Sequence, residues 1–179
     1  KADLWDGGHR IPFIVKWPGK VKPGTRSDQL ICLTDLFATV SEIVGTELPG
    51  GSAEDSVSFL PALSGKPIVS TRNGVIHHSI SGHFAYRQGP WKLLLARASG
   101  GWTSPKESQA KGALPAQLYD MEADVGEKKN LYREKPEVVA KLLALLQKDV
   151  KRGRSTKGTV SKNDVGKIVL WKSGQPKAK

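Results

Sequence analysis

"GVIHHSISGHFAYRQGPWKLLLA", residues 74–96, decides the fold. Three short runs rich in β-branched and aromatic residues, GVIHHSIS, HFAYRQ and WKLLLA, follow one another with turn residues between them, the pattern of successive strands. Gly89-Pro90 separates the last two and predicts a hairpin, so the sheet should be antiparallel. Trp91 and Tyr86 read as cross-strand packing. A polar loop, residues 100–116, leads to a fourth strand in QLYDM, residues 117–121. In the turn-rich stretch that follows, Asp120, Asp124 and Asn130 read as turn-capping residues. Pro136 suits the first turn of a helix running to about Lys151. Its apolar stripe comprises Val138, Val139, Leu142, Leu143, Leu145, Leu146 and Val150. The second half of the chain is therefore α+β: a small antiparallel sheet with one amphipathic helix.

Upstream, IPFIVKW, residues 11–17, reads as a buried strand with Pro12 near its start. Thr34 or Asp35 caps a predicted helix, DLFATVSEIVG, whose apolar face holds Leu36, Phe37, Val40, Ile43 and Val44 and which Gly45 ends. One strand and one helix cannot close a layered core alone. The first half needs further partners, or must pack heavily on the second. The expected divisions are 1–70 (strand, helix, loop), 71–152 (sheet and helix) and 153–179 (a basic, partly flexible tail).

With 179 residues of which 38% are apolar, the chain can bury a real core. No apolar run approaches the ~18–20 residues that cross a bilayer, so no membrane span is expected. Residues 1–20 lack the ordered features of a signal peptide, which leaves the compartment open. Cys32, the sole cysteine, flanked by Ile31 and Leu33, reads as a core residue. The net charge of +11 is uneven: residues 148–179 carry ten Lys/Arg against two Asp/Glu. Such a tail could grip a polyanion, either a sulfated polysaccharide or nucleic acid. Its lysines are scattered among Gly, Ser and Thr, however, as in a solvated chain end.

The opening segment KADLWDGGHRIPFIVKWPG resembles the sulfatase segment in which a lysine is followed five residues later by Asp/Glu-Gly-Gly-x-Arg and then by a strand ending in Trp-Pro-Gly. TDLFATVSEIVG, FAYRQGPWKLLL and LYDMEADVGEKKNL match later sulfatase blocks in the same order. The resemblance spans residues 1–131 and departs at Val125, where the family has proline. It implies the C-terminal portion of an arylsulfatase-like, formylglycine-dependent enzyme of the alkaline phosphatase superfamily. The parent fold is then a large α/β domain whose end is residues 1–70, followed by the small antiparallel sheet.

By that resemblance, Lys1 is the catalytic lysine that contacts a sulfate oxygen; on position alone it is a solvated terminal residue. The chemistry asks for such a cation, because negative charge gathers on the bridging oxygen as the S–O bond breaks. Gly7 and Gly8 suit a tight turn beside the site, and Asp6 and Arg10 read as bracing it. His9 and His78 are the further substrate-binding candidates, with His83 also able to reach a cleft. His77 and His78 face opposite sides of a strand and cannot readily share an ion. No Asp or Glu lies between residues 56 and 106 to complete a local site. No metal ligand is therefore assigned in this chain.

The Cys/Ser-x-Pro-x-Arg stretch that yields formylglycine does not occur here. The resemblance implies Ca2+ and formylglycine in the parent, both supplied upstream of this chain. It also implies a sulfated small molecule or polysaccharide as substrate, a missing N-terminal part of the same enzyme as partner, and a periplasmic or secreted location. Nucleic acid is not the expected partner. The rival reading is a basic binding module acting through residues 148–179. The isolated chain is expected to be inactive.

Overall fold

The computed structural model describes residues 1–173; the end of the basic tail lies outside the described residues. The chain forms two compact units. One holds residues 1–11, 76–148 and those from 165 on; the other holds residues 12–75 and 149–164.

The first unit is built on a four-stranded sheet in the order β1 (Val75–His78), β2 (Phe84–Gln88), β3 (Trp91–Leu94) and β4 (Gln117–Asp120). β2–β3 and β3–β4 are antiparallel. The β2–β3 turn passes through Gly89 at a φ of 55°, a conformation that favours glycine. The register sets Arg87 opposite Lys92 and Lys92 opposite Tyr119, with Ala85, Leu94 and Gln117 aligned in the next row. Side chains alternate along strands, so these six share one face. The opposite face carries Tyr86, Leu93 and Leu118, all fully buried. Burial on both faces explains why WKLLLA is apolar throughout except at Lys92.

The turn residues after β4 act as their types suggest. Asp120 Oδ1 accepts the N–H groups of Glu122 and Ala123. Asp124 Oδ2 accepts those of Lys128 and Lys129, and Asn130 Oδ1 those of Leu118 and Tyr132. Helix α3 runs Pro136–Arg152, and Val139, Leu142 and Leu146 are its buried apolar positions at helical spacing.

In the second unit, α1 spans Asp35–Val44 and ends on Gly45 in the left-handed region; α2 is one turn, Leu60–Leu63. Asp35 does more than begin α1. Its buried carboxylate accepts N–H groups from Cys32 (2.8 Å) and Val57 (2.9 Å) and a two-pronged ion pair from Arg72. Cys32 is half-buried beside Thr34, and burial pushes its thiol pKa up.

One expectation for this region changes. Residues 11–17 form no strand, and Ile14 is 90% exposed. A strand exists only against a neighbour, and no described residue pairs with this segment. Phe13 packs edge-on against Phe59 at 5.3 Å. α1 buries Asp35, Ala38 and Thr39, while Leu36, Phe37, Val40, Ile43 and Val44, its whole apolar face, are exposed, in keeping with a first half that needs further partners.

Candidate functional site

The Lys1–Arg10 segment belongs to the sheet unit and lies on the Lys92 face. Leu4 anchors it: fully buried, it joins Ala85, Leu94, Ala96, Tyr119 and Met121 in one apolar cluster, with Trp5 packed alongside. Burying such a leucine contributes roughly 1.5–3 kcal/mol. Backbone bonds fix its path, Leu4 N–H to Ser99 O at 2.8 Å and Ile80 N–H to Ala2 O at 2.9 Å. Gln117 forms a buried polar node beneath. Its Oε1 accepts from Trp5 Nε1 (3.0 Å) and the Tyr119 hydroxyl (2.7 Å), and its amide donates to the Ala96 and Ala98 carbonyls. Burial, reinforced by the Glu127 charge, pushes the Tyr119 hydroxyl pKa up to about 12.

Asp3 ties the segment to the loop after β3. Its Oδ1 accepts the Trp102 and Thr103 N–H groups at 2.6 and 3.1 Å, and its Oδ2 accepts the Thr103 hydroxyl at 2.5 Å. Burial opposes its ionisation, yet these bonds hold the carboxyl below the usual range. Gly101 fits because a Cβ there would strike the Ala2 carbonyl and the Asp3 carboxylate.

Asp6 opens a 3-10 turn, Asp6–Gly8, and carries the central charge of the site. Lys92, fully buried in β3, places Nζ 2.6 Å from Asp6 Oδ1 and 2.7 Å from Glu127 Oε1. Glu127 Oε2 accepts the Asp6 N–H at 2.6 Å, closing a three-residue ring. Arg87 and Arg10 stand 3.9 Å from Asp6 Oδ2, which has no hydrogen-bond partner. Burial raises the Asp6 carboxyl pKa, but His9 and Lys92 overcome it and hold the group well below the carboxylate range.

His9 sits between these acids and β1. Its Nε2 is 3.5 Å from Asp6 Oδ1, its Nδ1 3.4 Å from Asp3 O, and its ring 3.8 Å from that of His77. Burial, with the nearby charges of His9 and Lys92, drives the His77 pKa well down, so the ring is neutral. A backbone hydrogen bond with Leu4 opposes that shift, and Nε2 is buried without a partner. His78 turns the other way, is exposed, and meets Phe84 edge-on at 4.2 Å. His83 is buried, its Nδ1 3.4 Å from Leu95 O.

Lys1 is exposed at the head of the segment. Its main-chain nitrogen donates to Gly7 O at 3.2 Å, and Ala2 follows at a φ of 76°, rare for a residue with a Cβ. Gly8 packs against the Asp3 backbone and has no room for a side chain, whereas a Cβ on Gly7 would meet nothing. Only Gly8 of the pair is thus needed for close approach. The Lys1 main chain and the His9 ring both contact the Asp6–Gly8 segment, and the His9 ring meets that of His77. Chemically, the arrangement is an exposed ammonium on a backbone loop held by apolar, hydrogen-bonded and ionic contacts.

Among the described residues no cluster of three or more His, Cys, Asp or Glu could hold a metal ion. The Asp3 carboxylate is committed to two N–H groups and a hydroxyl, and Asp6 Oδ1 to the Lys92 ammonium. The described residues therefore do not supply the six to eight oxygens that calcium takes. No described helix is long and apolar enough to cross a membrane. Lys92 and Glu127 were not singled out by sequence. The available signal was a lysine set inside an apolar run, PWKLLLA, where a charge requires a buried partner.

No protein-family model matches the chain. An N-acetylgalactosamine-6-O-sulfatase from Bacteroides thetaiotaomicron is 37% identical over 150 residues, 82% of this chain and 28% of that protein. Arylsulfatase G of Rattus norvegicus is 29% identical over 148 residues, covering 76% and 27%. A solved Bacteroides thetaiotaomicron structure, described with the metabolism of multiple glycosaminoglycans and labelled 6S-sulf, superposes with a TM-score of 0.69 at 34% identity. It covers 83% of this chain and 30% of that one. The chain thus spans under a third of the length of these relatives.

Proposed function

The chain is homologous to sulfatases over most of its length, and from that premise we propose that it is the C-terminal portion of an enzyme hydrolysing sulfate monoesters. The observation that carries this reading is the Lys1–Gly8 loop: it has the family spacing, and its exposed ammonium sits on a backbone held at Leu4, Asp3 and Asp6. A sulfate ester is a permanent anion, and charge builds on its bridging oxygen during cleavage. Lys1 is the group we assign to those oxygens, as a cation that offsets the charge as it develops. His9 and His78 are assigned to substrate contact, His9 from within the loop and His78 from the exposed side of β1.

Formylglycine and Ca2+ are assigned to the remainder of the protein, and this chain's residues take no step through them. The same remainder is the partner we assign to residues 11–17 and to Leu36, Phe37, Val40 and Val44, whose exposed apolar surface needs a cover. Residues 1–70 are then the end of the catalytic domain, 71–152 the small C-terminal subdomain and 153–179 the tail. The relative named for an N-acetylgalactosamine sulfate supports a sulfated sugar as substrate. The periplasm or the exterior is the assigned location, on the family resemblance. The rival polyanion-binding tail has less behind it. Arg152 donates to the Thr156 and Gly158 carbonyls, and Arg154, 8% exposed, to Thr159 O.

Sulfate release from a sulfated monosaccharide tests the reading. The full-length protein should release sulfate and the isolated chain should not. Turnover by the isolated chain, or none by the full-length protein on any aryl or sugar sulfate, overturns it.

A further inference from the structure

We infer that Lys92 and Glu127 are positioning residues for Lys1, acting through Asp6. The inference rests on the proposed sulfate contact of Lys1 and adds the device that aims it.

Lys92 cannot touch substrate, because its side chain is wholly enclosed. Its position is also a poor choice for stability alone. Removing an ammonium and two carboxylates from water is expensive, and an apolar trio of similar volume is often as stable. What the ion ring adds is geometry. Lys92 Nζ grips one Asp6 oxygen, and Glu127 grips both Lys92 and the Asp6 N–H, so side chain and backbone of Asp6 are fixed together. Glu127 does this from a φ of 52°, a conformation non-glycine residues seldom keep without surrounding constraint.

From Asp6 the constraint runs back to Lys1 by short steps. The 3-10 turn sets Gly8, which abuts the Asp3 backbone, and Asp3 is followed back by Ala2, whose carbonyl receives the Ile80 N–H. Ala2, in its left-handed conformation, closes the loop. The backbone is thus held at Ala2, Asp3, Leu4, Asp6 and Gly8, the stretch that carries Lys1. A change in Asp6 orientation should then shift the backbone from which the Lys1 side chain projects.

A double-mutant cycle in the full-length enzyme tests this, read as kcat and KM on one sulfate ester, with melting temperature confirming that each variant is folded. Lys1→Ala should lower kcat/KM by ~100-fold or more, as loss of one charge-stabilising donor does. Lys92→Met and Glu127→Gln should each lower kcat by about 10- to 100-fold with KM little changed, the size of effect a displacement near 1 Å produces. Combined with Lys1→Ala, either change should cost less than about 3-fold more, because the group they position is gone. If Lys92→Met unfolds the enzyme, the near-isosteric Glu127→Gln carries the cycle. Full multiplicative losses in the Lys1→Ala background overturn the positioning role while leaving the Lys1 assignment intact. A Lys1→Ala enzyme of unchanged activity overturns both.

Discussion

Lys92 Nζ lies 2.6 Å from Asp6 Oδ1 although the two residues are 86 apart in the chain. That contact joins the Lys1 segment to β3, an inner strand of the small sheet. Removing one partner of a buried ion pair strands the other, at a cost of about 3–5 kcal/mol. Lys92→Met should therefore lower unfolding free energy by that order in chemical denaturation. Lys129 and Glu134 pair at 2.9 Å on the surface; Lys129→Met should cost under about 1 kcal/mol. Equal effects of the two substitutions would contradict the burial argument.

Gly7 and Gly8 should respond differently to alanine. A Cβ on Gly8 would press into the Asp3 backbone, and a Cβ on Gly7 would stand in open space. Overpacking of this kind costs roughly 1–3 kcal/mol. Thermal melts should show Gly8→Ala clearly destabilised and Gly7→Ala near the parent. The reverse order would mean that the turn is built differently.

Acid should weaken the fold in two stages. His77 is held neutral in the folded chain, whereas an unfolded imidazole titrates near ~6.5. Below that pH the unfolded state binds more protons, so the contribution of His77 is complete at neutrality and falls away as pH drops. Asp6 and Asp3, with depressed folded pKa values, add a second loss once pH falls below about 4. Denaturation midpoints between pH 7 and 5 should decline in the parent. The decline should be shallower in His77→Asn, which keeps a donor toward Leu4. Parallel curves would rule out His77 as the source.

Elements carried by local pattern were legible in the sequence. Strands β2 and β3 announced themselves by composition and by Gly89-Pro90, and α3 by Pro136 and the spacing of Val139, Leu142 and Leu146. The turn roles of Asp120, Asp124 and Asn130 followed from short side chains reaching their own neighbourhood. What depends on distant partners was not legible. IPFIVKW has strand composition, but pairing belongs to the neighbour and not to the segment, so Ile14 stands exposed. The apolar face of α1 was read correctly as apolar; its burial was not its own to supply. The Asp6–Lys92–Glu127 ring joins three well-separated stretches of the chain. Only the awkwardness of a lysine among leucines hinted at it. His77, not His78, meets His9 because strand alternation sends neighbours to opposite faces, and sequence could not say which face carried the loop.

The central claim is that the Lys1 ammonium stabilises charge on a sulfate ester, and kcat/KM of the full-length Lys1→Ala enzyme on a sulfated monosaccharide measures it most directly. A fall of ~100-fold or more, with the melting temperature unchanged, is the predicted result. Activity within about twofold of the parent, too small a change for a lost transition-state contact, would contradict the claim.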